Sequence, residues 1–277
     1  MKTFFVSTLA FLLALGSLPL PASAHTTVIF PEVGDDGTMN LMVVHFEPWH
    51  GSRIMGIRLH EKDTPSVKGL ESIFLIHDGK RTDISEKAIP ERFRGREGSG
   101  ECYRIPMDSL SRAGDYIFVI KHQPHWKSHL GFYICKISKF FLNNGGLVTD
   151  WPNRVLEDAP EIIPLTQPFS VYKGALFRAQ VVDDKGKSIP HARIHVEFLN
   201  YKTTAKGIQG DAPILENRDM GDFFMFSDNC GAFSFIPPSA GIWTFTLVDG
   251  DDHLSINGRK FRYDSSISIA VKPVPGQ

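Results

Sequence analysis

The chain has 277 residues, 30 of them lysine or arginine and 31 aspartate or glutamate, which gives a formal net charge of −1 at pH 7. This near balance argues against nucleic acid or an anionic membrane as the main partner. The three cysteines, Cys102, Cys135 and Cys230, allow at most one intramolecular disulfide, so the chain is not a disulfide scaffold. A bridge between Cys102 and Cys135 is conceivable in an oxidising compartment, but the sequence does not show whether their Cα atoms lie close enough.

The first 24 residues are predicted to be a secretion signal that is removed from the mature protein. Lys2 supplies the positive charge, the run from Phe4 to Leu18 is almost wholly apolar, and Ala22-Ser23-Ala24 gives a cleavage pattern of small residues. The apolar run is too short to span a bilayer comfortably, which favours cleavage over the alternative of an uncleaved N-terminal anchor. We therefore expect a periplasmic or secreted protein that begins at His25 and has no integral membrane segment.

From His25 onward the sequence predicts an all-β fold. Short apolar or alternating runs are separated by clusters of Gly, Pro, Asn and Asp, as strands are. In Ile194–Phe198 and Trp243–Leu247 the apolar side chains share one face, and the opposite face is predicted to contact water. No segment sustains an amphipathic helical period, so closely spaced strands in sandwiches are expected. The predicted strands are Asn40–Phe46, Ile54–His60, Ile73–His77, Asp115–His122, Phe132–Leu142, Leu176–Val182, Arg193–Leu199, Gly231–Ile236, Trp243–Val248 and Ser266–Lys272.

A boundary between two domains is predicted at about residue 160. The turn Asn143–Gly146 closes the first strand-rich region, and Pro160, Pro164 and Pro168 cannot donate hydrogen bonds to a central ladder. We expect a β-rich domain over residues 25–160 that binds the ligand or metal, and a second β-sandwich over residues 161–277. The polar stretch Thr203–Asp222 is predicted to be a long loop.

Two blocks of the sequence resemble the DUF4198 family. The segment Pro160-Glu161-Ile162-Ile163-Pro164-Leu165-Thr166-Gln167-Pro168-Phe169, followed by Tyr172-Lys173-Gly174 and Phe177–Val181, looks like the junction motif of that family. Upstream, Pro124-His125-Trp126 and Phe132–Lys139 are similar to its "PYW…TK" segment. The resemblance covers essentially the whole mature chain. It implies a periplasmic component associated with nickel and cobalt uptake.

The second half of the chain also resembles the prealbumin-like, carboxypeptidase-regulatory type of sandwich. The resemblance rests on two turns, Asp183–Pro190 and Ser227–Phe233, and on Pro238 and Gly241 before the Trp243 strand. Modules of this type are usually non-catalytic, which implies that the first domain carries the ligand. The expected fold class is therefore two β-sandwich domains, immunoglobulin-like or prealbumin-like, after a cleaved signal.

Five histidines are predicted metal ligands: His25, His45, His50, His125 and His129. After signal cleavage the α-amine and the imidazole of His25 could chelate one ion together, because both groups can be deprotonated near neutral pH. The resembling family also tends to begin with His at this position. His45 and His50 would reach one cleft if a strand ends between them, and His125 and His129 are four residues apart. Met55 is a weaker candidate, because methionine so readily fills cores.

The other histidines are predicted to have no ligand role. His122 shares a strand face with apolar residues and is expected at the edge of the core. Isolated surface positions are expected for His60, His77, His191, His195 and His253. The chain also departs from the resembling family: Lys127, Leu130 and Gly131 replace acidic residues, and Lys136 replaces a histidine that is common there. These differences leave the identity of a metal, and metal binding itself, open.

The sequence gives little support for an enzyme. The sequence has no G-x-S-x-G elbow, P-loop or G-x-G-x-x-G, and Thr64 stands where a zincin helix needs its second histidine. The leading hypothesis is a non-catalytic periplasmic binding protein for a divalent transition metal, with nickel or cobalt favoured and copper or zinc possible. A membrane transport component would be its partner. Two alternatives stay open: a metal-free envelope scaffold or binding module with exposed tryptophans, and a copper redox enzyme that uses His25.

Overall fold

The computed structural model describes residues 25–34, 37–51, 54, 56–59, 67–107, 110–128, 130–248 and 254–276. The predicted signal, residues 1–24, lies outside the described residues, and so do Met55, His60, Thr64, His129 and His253. The described residues form twenty β-strands and two short 3₁₀ turns, with no α-helix, so the all-β prediction is confirmed. Within these residues, no helix of sufficient length and apolar character to cross a membrane is found.

All ten predicted strands are present, with bounds that differ at their ends. The strand bounds are β1 Thr26–Val33, β2 Met39–Phe46, β3 Gly56–Leu59, β4 Val67–His77, β5 Lys80–Asp83, β6 Ile89–Arg94, β7 Ser99–Pro106, β8 Gly114–His122, β9 His125–Lys127, β10 Phe132–Asn144, β11 Glu161–Pro164, β12 Phe177–Val182, β13 Arg193–Phe198, β14 Thr203–Thr204, β15 Gly207–Ile208, β16 Asp222–Phe226, β17 Ala232–Phe235, β18 Gly241–Leu247, β19 Ser255–Ile256 and β20 Arg259–Val271. The 3₁₀ turns are Ser85–Lys87 and Arg218–Met220. The predicted loop Thr203–Asp222 is mostly irregular but contains β14, β15 and the second 3₁₀ turn.

The strands form three sheets. A six-stranded sheet has the order β1-β2-β7-β6-β15-β14, and a three-stranded sheet has the order β11-β12-β17. The large sheet follows the path β16-β13-β18-β20-β10-β8-β4-β3. In it β10 and β20 pair in parallel, so strands from both sides of residue 160 share one sheet. The division into domains 25–160 and 161–277 stays a prediction. The predicted boundary at about residue 160 falls in the segment between β10 and β11.

The large sheet is covered on both faces. One face packs against the six-stranded sheet through a layer that includes Ile29, Val43, Phe118 and Phe140. The other face packs against the three-stranded sheet through a layer that includes Val119, Val181, Phe177 and Phe245. Successive side chains of β8 enter these two layers in alternation, as the pleat of a strand requires.

The prediction that one face of β13 and β18 contacts water is wrong. His195, Glu197, Thr244 and Thr246 lie on that face and are at most 5% exposed. They continue the layer between the six-stranded and the large sheet, which is apolar at one end and polar at the other. The polar end holds the candidate site.

Candidate functional site

Histidines enter the polar end of this layer from strands of both sheets. Along β2, His45 follows Leu41 and Val43 on the face that points to the large sheet, and along β8, His122 follows Phe118 and Ile120 on the facing side. Side chains alternate between the two faces of β2 and β8, so the two imidazoles point into the interior on the same faces as the apolar residues. Both are 1% exposed, and His125 on β9 is 2% exposed.

The hydroxyl of Thr27 joins the two buried imidazoles. Thr27 pairs with His45 across β1 and β2. Its Oγ1 lies 3.0 Å from His45 Nδ1 and 2.7 Å from His122 Nε2. Since a hydroxyl carries one hydrogen, at most one of these two ring nitrogens accepts its proton. Two imidazole nitrogens thus converge on one oxygen atom.

His25 brings a third imidazole to the same place. Its ring centroid is 6.0 Å from that of His45, and the His45 and His122 centroids are 5.3 Å apart. The side chain of His25 is 31% exposed, and its Nε2 lies 3.7 Å from Oε1 of Glu47. The group of His25, His45, His122 and His125, called the histidine cluster below, is therefore buried except at His25.

The charge state of His45 suits a metal ligand. Burial lowers its pKa well below the ordinary 6.5, and the positive charges of His122, Lys136, His25 and His125 lower it further. At neutral pH the His45 imidazole is neutral, which is the form that binds a metal ion.

Next to the histidine cluster, polar contacts join the start of β1 to the large sheet. The Nζ of Lys136 donates a hydrogen bond to the carbonyl oxygen of His25 and lies 3.8 Å from Oδ2 of Asp264. The hydroxyl of Thr26 donates to Oε2 of Glu197. Residues 25–27 therefore each have a polar contact that fixes the strand carrying His25.

Glu197 also belongs to a second set of polar side chains in contact, with His195 and Asp222. His195 Nδ1 lies 3.5 Å from Oε2 of Glu197, and His195 Nε2 donates to Oδ1 of Asp222 at 2.7 Å. Burial raises the pKa of Glu197 to about 7, although His195 and Thr26 act in the opposite direction. Burial alone would lower the pKa of His195, but the hydrogen bond to Asp222 and the charge of Glu197 raise it above its ordinary value. The surface position predicted for His195 is wrong, because the residue is 5% exposed and its ring stacks on that of Phe224 of β16, with the centroids 4.6 Å apart.

The structure brings some of the predicted ligands together and leaves others apart. His25, His45 and His125 lie in the histidine cluster. His50 is exposed in the turn at residues 48–51, and His129 lies outside the described residues. Sequence reasoning missed His122 as a candidate, although its position on the inward face of β8, three residues before His125, was a usable signal. In the part of the chain that the structure describes, no three His, Cys, Asp or Glu side chains have the arrangement of a metal site.

The conceivable bridge between Cys102 and Cys135 is absent. All three cysteines are free thiols, with Cys102 and Cys135 buried in different apolar layers. The Sγ of Cys135 donates to the carbonyl oxygen of His122 at 3.0 Å. Burial raises the pKa of both buried thiols to about 12, so they are protonated at neutral pH and are unsuited to bind a metal as thiolates.

The fold and the site together define a class: an all-β protein with a buried histidine cluster between two sheets. The chain belongs to the DUF4198 family, a domain of unknown function, whose family model matches residues 22–249. A search of curated proteins gives no match.

Two solved structures align over most of the chain. The full ectodomain of mouse nectin-like molecule 4 is 12% identical over 91% of this chain, with a TM-score of 0.20; the alignment covers 66% of that ectodomain, less than two thirds of its length. The backbone protein of the group B streptococcus pilus 2b is 10% identical over 88% of this chain and 98% of its own, with a TM-score of 0.16. Similarity at this level carries no argument about fold or function.

Proposed function

We propose that the chain is an exported, non-catalytic binding protein that captures a divalent transition metal ion through the histidine cluster. In this proposal residues 1–24 are removed, the protein works in the periplasm, and a membrane transport component of an uptake system receives the ion. The sequence resemblance to components of nickel and cobalt uptake favours these two metals. Copper and zinc are the other candidates, because imidazole also suits them as a ligand.

The observation that carries the proposal is the convergence of His45 Nδ1 and His122 Nε2 on the hydroxyl oxygen of Thr27. Bonds from zinc to imidazole nitrogen are about 2.0 Å long. An ion bound to both His45 Nδ1 and His122 Nε2 would therefore occupy the space of the Thr27 hydroxyl, and this hydroxyl would have to rotate away. His25 supplies a third imidazole and, after signal cleavage, an α-amine. The partly exposed ring of His25 leaves a route for the ion. Such an incomplete, accessible ligand set is suited to exchangeable binding rather than to a closed structural site.

Isothermal titration of the processed, metal-free protein with nickel, cobalt, copper and zinc tests this proposal. We expect binding of one ion per chain that weakens by about tenfold or more in His45→Asn and His122→Asn, since each loses one ligand. One glycine added ahead of His25 should also weaken binding, because it blocks the amine. The matched control is His191→Asn. His191 is exposed, and its φ of 55° is a conformation that asparagine tolerates.

The titrations can also contradict the proposal or change its ligand set. Flat titrations with all four metals, or unchanged binding by His45→Asn and His122→Asn, would contradict the proposal. Weaker binding by the variant His50→Asn would extend the ligand set to the exposed turn, as the sequence predicted. Unchanged binding by that variant would leave the ligand set within the histidine cluster.

One observation favours a second candidate, a metal-free envelope scaffold or binding module. The Thr27 hydroxyl already provides a polar contact for a nitrogen of both His45 and His122. In that case the histidine cluster is a polar part of the core, and protein purified from the exported fraction should contain no stoichiometric metal.

A further inference from the structure

A cleft of about 450 Å³ lies on the six-stranded sheet, where β6 ends and β15 pairs with it. Its lining includes Arg94, Arg96, Lys206 and the single acidic residue Asp211. Three cationic side chains against one carboxylate make this cleft electropositive, although the whole chain has a net charge of −1. From these features we infer that the cleft binds an anion of the phosphate class, as a free phosphate or a phosphate ester.

The guanidinium group of Arg96 is held by a neutral partner. Its Nη1 donates to Oη of Tyr201 at 3.0 Å, and its Cζ lies 5.1 Å from the centroid of the Tyr201 ring. Tyr201 is 6% exposed and so has a fixed position. These contacts orient the guanidinium without neutralising its charge, and they occupy one of its five N–H donors. An arginine oriented in advance loses little conformational entropy when it binds an anion.

The backbone around the two arginines forms a rigid frame. The N–H of Arg94 donates to the carbonyl oxygen of Lys206 at 3.0 Å, and the N–H of Arg96 donates to the carbonyl oxygen of Gly51 at 2.8 Å. Gly207 has a φ of 145°, and a Cβ atom there would lie 2.4 Å from the carbonyl oxygen of Arg94. The close approach of β15 to β6 therefore requires glycine at position 207. This approach places Lys206 beside Arg94.

Phosphate matches the chemistry of this lining. Guanidinium groups donate two parallel hydrogen bonds to phosphate oxygens, and lysine adds a compact positive charge. The volume of the cleft also leaves space for an organic group attached to the phosphate. The inference does not depend on the proposed metal function, because none of these residues belongs to the histidine cluster.

Isothermal titration of the metal-free, full mature chain with inorganic phosphate and with glycerol 3-phosphate tests the inference. The comparison titrations use citrate, and sodium chloride at the same ionic strength. We expect saturable binding that weakens by about tenfold in Arg94→Gln and in Arg96→Gln, because each loses a charge-assisted contact. Tighter binding of glycerol 3-phosphate than of phosphate would assign the cleft to esters, and the reverse order would assign it to the free ion.

The matched control is Arg92→Gln, on the same strand. Arg92 is exposed and donates to Oγ of Ser99 at 3.0 Å, and it does not line the cleft. This variant should bind phosphate as the unchanged protein does. Circular dichroism and thermal unfolding of each variant identify any that fails to fold. The inference is overturned if neither phosphate compound binds saturably, if only citrate binds, or if Arg92→Gln weakens binding as much as the two cleft variants.

Discussion

The side-chain ammonium of Lys136 donates a hydrogen bond to the main-chain carbonyl oxygen of His25. Lys136 lies on β10 and is 6% exposed, with Asp264 of the paired strand β20 at 3.8 Å. This contact fixes the backbone of His25 against the large sheet. It also places a positive charge near His45, where it contributes to the low pKa of that imidazole.

Replacing Lys136 by methionine should raise the pKa of His45, because one of the cations that lower it is removed. The pKa should stay below 6.5, since burial, the larger cause, remains. The loss of the hydrogen bond to His25 should also reduce the free energy of unfolding by about 1–3 kcal/mol. An NMR titration of the His45 ring protons and urea unfolding measure the two effects.

The control Lys121→Met removes an ion pair with Glu71 that is partly exposed. Its cost should be about 1 kcal/mol or less. An unchanged His45 pKa in Lys136→Met would contradict the prediction.

The low pKa of His45 predicts a loss of stability in acid for the metal-free protein. The folded-state pKa lies below the unfolded value of about 6.5, so the contribution is complete above pH 6.5 and is lost as the pH falls from there toward the folded pKa. Asparagine places a polar atom near the position of Nδ1 but does not titrate, so His45→Asn should lose less stability between pH 7.5 and 5.5. The difference should be on the order of 1 kcal/mol, measured by urea unfolding at both pH values. His191→Asn, the exposed control, should follow the unchanged protein. The same acid loss in His45→Asn would show that another group causes it.

The strands could be predicted from sequence because alternation and turn residues are local signals. The buried polar layer could not, because its residues come from distant parts of the chain. Thr27, His45 and His122 each look like ordinary strand residues, and only the pairing of β1 with β2 and the packing of two sheets brings them together. His195 and Glu197 alternate with apolar residues as solvent-facing residues do, but both are at most 5% exposed, and Thr26 of β1 contacts Glu197. Three of the five predicted ligands, His25, His45 and His125, lie in the histidine cluster, and their role as ligands stays a prediction. The sequence had no signal for the central position of Thr27.

Glu197 should make the protein less stable as the pH rises. Its folded-state pKa of about 7 is above the unfolded value of 4.5, so its contribution is complete below pH 4.5 and is lost as the pH rises through 7. His195, whose pKa is also raised, acts in the same direction. Glu197→Gln removes the buried charge and should gain stability relative to the unchanged protein between pH 5 and pH 8, by on the order of 1–3 kcal/mol. Chemical denaturation across this range measures the gain. Glu157→Gln, at an exposed position, should show no such trend. A stability difference that does not vary with pH would exclude Glu197 as the titrating group.

Replacing Thr27 by valine should separate the metal-binding proposal from the metal-free alternative. Valine keeps the shape of threonine but removes the hydroxyl that contacts His45 Nδ1 and His122 Nε2. The metal-free variant should lose about 1–3 kcal/mol of stability, because buried polar groups lose a partner. If the cluster binds a metal, excess nickel or cobalt should restore stability in Thr27→Val, since a ligand that binds only the folded state stabilises it.

The matched control for this experiment is Thr244→Val. Thr244 is 1% exposed and shares a hydrogen bond of 2.9 Å with Ser268, in the same layer but not in the histidine cluster. This variant should lose stability without metal, and added metal should raise its melting temperature only as much as it raises that of the unchanged protein. A larger metal-induced shift in Thr27→Val than in Thr244→Val is expected, because the vacated position lies between two imidazole nitrogens. No metal-induced shift in any variant would favour the metal-free scaffold, in which the histidines serve only as polar core residues. Equal shifts in the two variants would show that metal binds at a position that does not involve Thr27.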